Sequence, residues 1–331
     1  IEEALKVFAY DSLNFEPGTK YEYTSLDYML LAAIIEKVSK TSFATYLKTN
    51  IFLPAGMKST SIDIQREIIF NRVRGYEKNA ERKIVNAPLA DLSIKVAGGG
   101  LLSTAEDLLL FSKALLENKL IQPATLEMMT RRLKLKNGKE IDHGLGFFLE
   151  FENDSLKYIL HVGAGTGFSS MMIIDPKLKN ASVNLINIRD RNPGTPAKDI
   201  IEILSSKKIL TPTKILSNDL MKHYNSFGID STIQRLKNIY TNEQTLFTLN
   251  ENEAISFSND LIELNKIADA ISYQKELIKL YPKSFQTLVA IADTYLKDKN
   301  EGLALRFYRN AAQINKDNAR VNNLIKKLGN K

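Results

Sequence analysis

The chain has 331 residues, 44% of them hydrophobic and 25% charged, with a net charge of +7 at pH 7. That is the balance of an ordinary globular protein long enough for two domains. Its lysines and arginines are dispersed along the chain, in no cluster larger than pairs such as Arg131-Arg132 and Lys207-Lys208, which argues against a nucleic-acid groove. It has no cysteine, so disulfide and thiol chemistry are excluded. No run of about eighteen apolar residues is present to span a membrane.

In chain order, Ile1-Glu-Glu-Ala-Leu5 lacks the charged leader and apolar core of a signal peptide. Ser25–Lys40 reads as a helix, with Tyr28, Leu31, Ala32, Ile35 and Val38 at helical spacing. Ser42–Phe52 continues helically until Leu53-Pro-Ala-Gly-Met57 interrupts it. Gly98-Gly-Gly100 is a permissive loop. It leads into Ser103-Thr-Ala-Glu106, which fits a capping box for a helix over Ala105–Glu117. Tyr158–Val162, Phe168–Ile174 and Ala181–Ile188 read as strands joined by short turns, hence an antiparallel meander. A helix over Pro196–Ile209 is placed to cover one face of it.

Beyond Leu210 strand signals fade, and Thr211-Pro-Thr-Lys marks a boundary. Residues 251–284 and 285–318 form two units with a 34-residue period. Ala270 and Ala304 occupy equivalent small positions, and Leu288, Ile291, Ala292, Tyr295, Tyr308 and Ala311 fall at packing positions. The pattern resembles tetratricopeptide repeats, with Ala319–Leu328 as a capping helix. The helical stretch Ile215–Tyr240 is expected to complete the stack or to dock it on the first domain. The expected division is 1–208, linker helices over 209–250, and repeats over 251–331.

Two separated segments carry the chemistry. One is Phe15-Glu-Pro-Gly-Thr-Lys-Tyr-Glu-Tyr23-Thr-Ser25, and the other is His161-Val-Gly163-Ala-Gly-Thr-Gly167-Phe168. Together they resemble the second and third active-site motifs of the serine β-lactamase-like hydrolases: class C β-lactamases, D-Ala-D-Ala carboxypeptidases and related esterases. Gly99–Asp107 also matches a structural marker of those relatives, Gly-Gly-Leu-x-Ser-Thr-x-x-Asp.

The resemblance covers residues 1 to about 208. It implies an α/β (α+β) domain with an antiparallel sheet flanked by helices and a mostly helical subdomain, followed here by the all-α repeats. It also implies acyl-enzyme chemistry on an amide, ester or lactam, an extracytoplasmic location and no cofactor. In such enzymes a weak nucleophile is activated by a neighbouring base. Tyr23 then matches the proton-transferring tyrosine, whose phenol needs nearby positive charge to fall from about 10. His161 is expected to supply electrostatic support, and Gly163 to keep the cleft clear of a side chain. The N–H of Ala164 would form half of an oxyanion hole. Ser25 stands where relatives carry a substrate-binding Asn, and it offers one rotating hydroxyl instead of an amide.

The family's first motif, Ser-x-x-Lys, is expected N-terminal to Tyr23 and is not found there. Its two occurrences, Ser205–Lys208 and Ser272–Lys275, are what chance gives for this composition and lie after the other motifs. In complete relatives two strands and the nucleophile helix come before this point. A chain without them is expected to expose the edge of Ala181–Ile188 and an apolar void in the helical subdomain, and to be nearly inactive as written. His143 and His223 lie outside any motif and make no metal-ligand spacing with His161. They read as surface or structural residues. Two functional expectations follow. One is a serine hydrolase whose nucleophile lies upstream. The other is a non-catalytic hydrolase-like scaffold that binds a protein partner through its repeats.

Overall fold

The computed structural model describes residues 1–189, 195–205 and 213–329. The chain forms two compact units. One comprises Ile1–Glu77 and Val85–Leu210, the other Lys78–Ile84 and Thr211–Lys331.

The first unit opens with α1 (Glu2–Leu5) and α2 (Asp27–Ser39), the latter closed by Lys40 in the left-handed conformation, φ 58°. Ser42 caps α3 (Phe43–Leu47), its Oγ accepting from the N–H of Thr45. A π-helical turn, Lys48–Phe52, runs into α4 (Leu53–Ala55), and Gly56 ends it. Next come β1 (Ser61–Ile62), the hairpin of β2 (Tyr76–Lys78) and β3 (Ile84–Asn86), and a 3₁₀ segment, Ser93–Gly98. β4 (Leu101–Leu102) pairs with β1 and leads into α5 (Ala105–Leu116) and α6 (Pro123–Met129). β5 (Leu133–Lys134) and β6 (Glu140–Ile141) form a short ladder.

The main sheet is built from β7 (Phe148–Glu152), β8 (Ser155–Gly165), β9 (Phe168–Asp175) and β10 (Asn180–Ile186). They run as an antiparallel meander in the order β10-β9-β8-β7. Strand alternation divides its residues between two cores. Ile159, Met172 and Ile174 lie on one face with Leu115 and Phe111 of α5 and with Leu126 and Met129 of α6. Tyr158, Ile173, Leu160 and Met171 lie on the other with Ala197 and Ile201 of α7 (Thr195–Leu204). Tyr158 is 1% exposed and donates to Glu202 Oε1 at 2.7 Å. Burial, together with that carboxylate, pushes its phenol up to about 12.

Three sequence expectations are corrected in detail, and the exposure of α2 is added to them. The meander has an additional strand, β7, and β8 is longer than Tyr158–Val162. The cap of α5 is Thr104, one residue later than the expected Ser103, and its side chain accepts from the Asp107 N–H without a reciprocal capping box. Asp107 does not reach back to the cap. Its carboxylate accepts from the N–H of Lys58 and of Ser59 and from Thr60 Oγ1, at 3.2, 2.8 and 2.7 Å, tying α5 to the turn before β1. Finally, α2 buries only Met29 and Ala32. Leu31 is 54% and Val38 77% exposed, because the neighbours of α2 are short elements: α1, α3 and the 3₁₀ segment. The expected helix over Pro196–Ile209 is seen as Thr195–Leu204, its remainder lying outside the described residues. The beginning of the expected Thr211–Lys214 boundary, Lys207-Lys208 and the Lys208 end of Ser205–Lys208 also lie outside them.

The second unit is helical apart from β11 (Lys214–Ile215) and β12 (Phe247–Thr248), which pair in parallel. α8 (Leu216–Asn242) breaks at Gly228, φ 73° and ψ −174°. It packs Leu216, Leu220, Met221, Leu236 and Ile239 against α9 (Glu251–Glu263) and α10 (Ile267–Leu280). α11 (Phe285–Lys297), α12 (Glu301–Ile314) and α13 (Ala319–Gly329) continue the stack around Ile291, Tyr295, Tyr308 and Val321. The 34-residue period is structural. α9 and α11 begin at 251 and 285, and α10 and α12 at 267 and 301. The left-handed residues Asn265 and Lys299 turn the chain at equivalent points. Ala270 and Ala304 are fully buried, where a larger side chain would part the helices.

Lys78–Ile84, the tip of the β2–β3 hairpin, belongs to this unit. There Arg82, φ 60°, donates from Nε to Asp260 Oδ2 at 2.7 Å and from Nη2 to Ser256 Oγ at 2.7 Å, both on α9.

Candidate active site

Tyr23 lies in the extended segment before α2 and is 45% exposed. His161 lies on β8. Both aromatic rings pack on the ring of Phe148 at the start of β7, with centroid separations of 6.2 Å for Tyr23 and 5.7 Å for His161. Two segments more than a hundred residues apart thus converge on one side chain. Tyr28 of α2 and His143 complete the cluster, at 6.2 Å from Tyr23 and 4.7 Å from Phe148 respectively. Tyr21 packs on His143 at 5.1 Å.

The ladder positions the second motif. His161 stands opposite Met172, Gly163 opposite Ser170 and Ala164 opposite Ser169. By strand alternation His161 and Gly163 lie on the face of Ile159, the one that meets α5 and α6. From α5, Ser112 donates to Met172 Sδ at 3.3 Å, which fixes the residue across from His161. β7 pairs with β8 only as far as Leu160. On the side away from β9, the stretch His161–Gly165 therefore runs past its neighbour. Among the described residues, alternate N–H groups of that stretch point away from β9 where the β7 ladder has ended. Ala164 is exposed.

Gly163 was expected to spare the cleft a side chain. The structure gives it a nearer reason, since a Cβ at this position would lie 2.2 Å from Ser170 Oγ. Ser25 is held through its backbone. A Cβ on Gly98 would lie 2.2 Å from the Ser25 carbonyl oxygen, so the first glycine of the Gly98–Gly100 loop lets that loop press against the end of the first motif. Thr24 Oγ1 accepts from the Leu26 N–H at 3.1 Å and sets the turn into α2.

Electrostatics distinguish the members of the cluster. Burial pushes the His161 imidazole below 6.5. The Val162 backbone opposes this, and nearby His143 adds to it. That direction favours the uncharged form of the His161 ring. Tyr28 is held above the usual phenol value, first by burial and then by Tyr23 and Tyr21. Tyr21 is raised by burial and by Tyr23. No cluster of three or more His, Cys, Asp or Glu able to hold a metal occurs among the described residues.

Sequence reasoning missed two participants. Phe148 is the shared wall, and its signal would have been recognition of β7. His143 had been read as surface or structural. It is buried, and it enters the cluster through an isolated bridge to Phe148. Of the two Ser-x-x-Lys occurrences, Ser272–Lys275 lies in α10 of the second unit.

Comparison with known proteins bears on the family and the fold. The chain is 32% identical over 208 residues to the mouse mitochondrial serine beta-lactamase-like protein LACTB, covering 55% of this chain and 38% of that protein. It is 34% identical over 170 residues to penicillin-binding protein 4* of Bacillus subtilis, covering 48% and 38%. The chain thus spans about two fifths of the length of these relatives. Among solved structures, the octameric penicillin-binding protein homologue from Pyrococcus abyssi superposes with a TM-score of 0.54 at 24% identity, covering 68% of this chain and 52% of that one. A penicillin-binding protein from Bacillus halodurans gives 0.52 at 19%, covering 62% of each. At such identities the superpositions speak for the fold alone. The family model described as Beta-lactamase matches residues 2–205, and the chain belongs to that family.

Proposed function

We propose that this protein is a serine hydrolase that works through an acyl-enzyme on an amide, ester or lactam. The observation that carries the reading is the convergence of Tyr23 and His161 on Phe148. The nucleophile is a serine of a Ser-x-x-Lys helix encoded upstream of Ile1. Its Oγ bonds to the substrate carbonyl carbon as Tyr23, held as the phenolate by the lysine of that same motif, takes the hydroxyl proton. The leaving group departs with that proton, and water later releases the acyl group. The N–H of Ala164 holds the oxyanion, a contribution of about 10²–10³ in rate. Neutral His161 orients the phenol by hydrogen bonding. Ser25 replaces the family's Asn and favours esters over amides, since one short hydroxyl cannot span the N–H and C=O of a substrate amide as the separate donor and acceptor of an Asn side chain do.

The second unit is proposed to be a pair of tetratricopeptide-like repeats that bind a protein partner. The 34-residue period of its helices and turns supports this. Such stacks offer extended binding faces. No helix among the described residues is long and apolar enough to cross a membrane, and the protein is proposed to act outside the cytoplasm.

Acylation tests the enzymatic reading. The protein expressed with its upstream coding sequence is expected to label with a fluorophosphonate or a tagged penicillin. Changing the serine of the upstream Ser-x-x-Lys to Ala should cost about 10⁶ in turnover. An upstream sequence without that motif, or no label on the protein that has it, would leave a non-catalytic scaffold as the reading.

A further inference from the structure

We propose that His143 is a positioning residue of this site: packed edge-on against Phe148, it fixes the ring on which Tyr23 and His161 meet. The inference rests on the reading of Tyr23 and His161 as the reacting pair, and its test needs no activity.

His143 is 7% exposed. Its Nδ1 lies 2.7 Å from the Gly144 carbonyl oxygen, which can only accept, so Nδ1 carries the hydrogen. Its Nε2 is buried without a hydrogen-bond partner among the described residues.

The ring has little freedom. The His143 N–H donates to Ile141 O at 2.7 Å, and its carbonyl accepts from the Leu133 N–H at 3.1 Å. The neighbouring Gly144 N–H donates to Phe147 O at 2.8 Å, and the backbone bridges antiparallel to Phe148. So anchored, the imidazole meets Phe148 at 4.7 Å and 85°, an edge-to-face arrangement favoured by the ring quadrupoles. Tyr21 packs on its own ring. Phe148 thus meets His143 at 4.7 Å, His161 at 5.7 Å and Tyr23 at 6.2 Å between ring centroids. A shift of His143 therefore passes to both reacting residues through one rigid ring.

The ionisable groups around the cluster are Tyr21 and Tyr23 from the N-terminal segment, Tyr28 from α2 and His161 from β8. The adjacent Asp142 is bound by Arg132 Nε at 2.7 Å. The pressure of burial that holds His161 below its ordinary value is thus partly a product of the packing His143 maintains.

The chain has three histidines, His143, His161 and His223, so imidazole NMR on the 331-residue chain resolves each one. In His143→Ala, the titration of His161 is expected to move up toward its ordinary value. Ring contacts of Phe148 with Tyr23 and His161 should weaken in the same spectra. His143→Phe, which restores an aromatic ring, is expected to recover both. A folded His143→Ala protein with unchanged His161 titration and unchanged ring contacts would overturn the proposal, as would His143→Phe behaving like His143→Ala. Should His143→Ala fail to fold, Phe148→Leu keeps the imidazole and removes the link. It must raise the His161 titration in the same way, and no change there is equally fatal. Failure to acylate the longer protein would remove the hydrolase reading and leave this coupling intact. Absence of the coupling would leave the acylation test untouched.

Discussion

Gly163 and Ser170 face each other across β8 and β9 so closely that a Cβ at 163 would lie 2.2 Å from Ser170 Oγ, yet 3.6 Å from Ser170 Cβ. The conflict is therefore with a hydroxyl alone. Gly163→Ala is expected to destabilise the sheet by no more than about 1 kcal/mol, since the Ser170 hydroxyl can rotate away, and Gly163→Ala with Ser170→Ala to restore the melting temperature. The acylation rate of the double variant then separates two roles for the glycine. Full recovery would assign it to cross-strand fit, and a persistent loss would assign it to keeping substrate unobstructed.

Acidification should weaken the fold through His161. Its folded pKa is lowered by burial, so the unfolded chain takes up the proton first as pH falls. The stability lost in this way begins to go near pH 6.5 and continues to go until the folded value is passed. Above neutrality His161 contributes no slope. Urea midpoints at about pH 7.5 and about pH 5.5 should therefore fall further apart in the native sequence than in His161→Gln. Equal separation in the two proteins would contradict the burial of this imidazole.

Asp107 is 4% exposed and gathers two backbone N–H groups and a hydroxyl. Asp107→Ala leaves those donors without their acceptor and is expected to cost about 3 kcal/mol or more. Asp107→Asn, which keeps one oxygen, should cost less. Denaturant unfolding measures both, with loss of protection at Lys58 and Ser59 in hydrogen exchange as the local signature.

In the longer protein, Tyr23→Phe should slow acylation by about 10²–10⁴, the usual range for a general base. Tyr28→Phe should leave the rate in the same order of magnitude, because burial and neighbouring phenols hold Tyr28 in its protonated form. Comparable losses from both changes would mean that the cluster matters as packing and not as chemistry.

Much of the frame was legible in the sequence because it is written in local signals. The meander announced itself through β-branched and aromatic runs between tight turns, and the 34-residue period through its alanines. Helix α2 was legible as a helix but not in its burial, since periodicity says which residues share a stripe and nothing about whether a neighbour covers it. The cap at Thr104 was missed by one residue because Ser103 and Thr104 are chemically alike. The site shows the same division. Tyr23, His161 and Gly163 carry recognisable motifs, whereas Phe148 and His143 matter only through a bridge and two ring contacts that folding creates. The leaning of His161 toward its uncharged form was equally invisible, since it follows from burial and not from residue type.

The arginine of the β2–β3 hairpin has a practical consequence for any attempt to divide this protein. A fragment starting near residue 213 would keep every repeat helix, yet it would discard Arg82, more than a hundred residues upstream, and with it the positive partner of a carboxylate, Asp260, that is only 5% exposed. Excising the stack along the sequence boundary would therefore produce a weakened module, and supplying the tip as a separate peptide would be the way to make it whole.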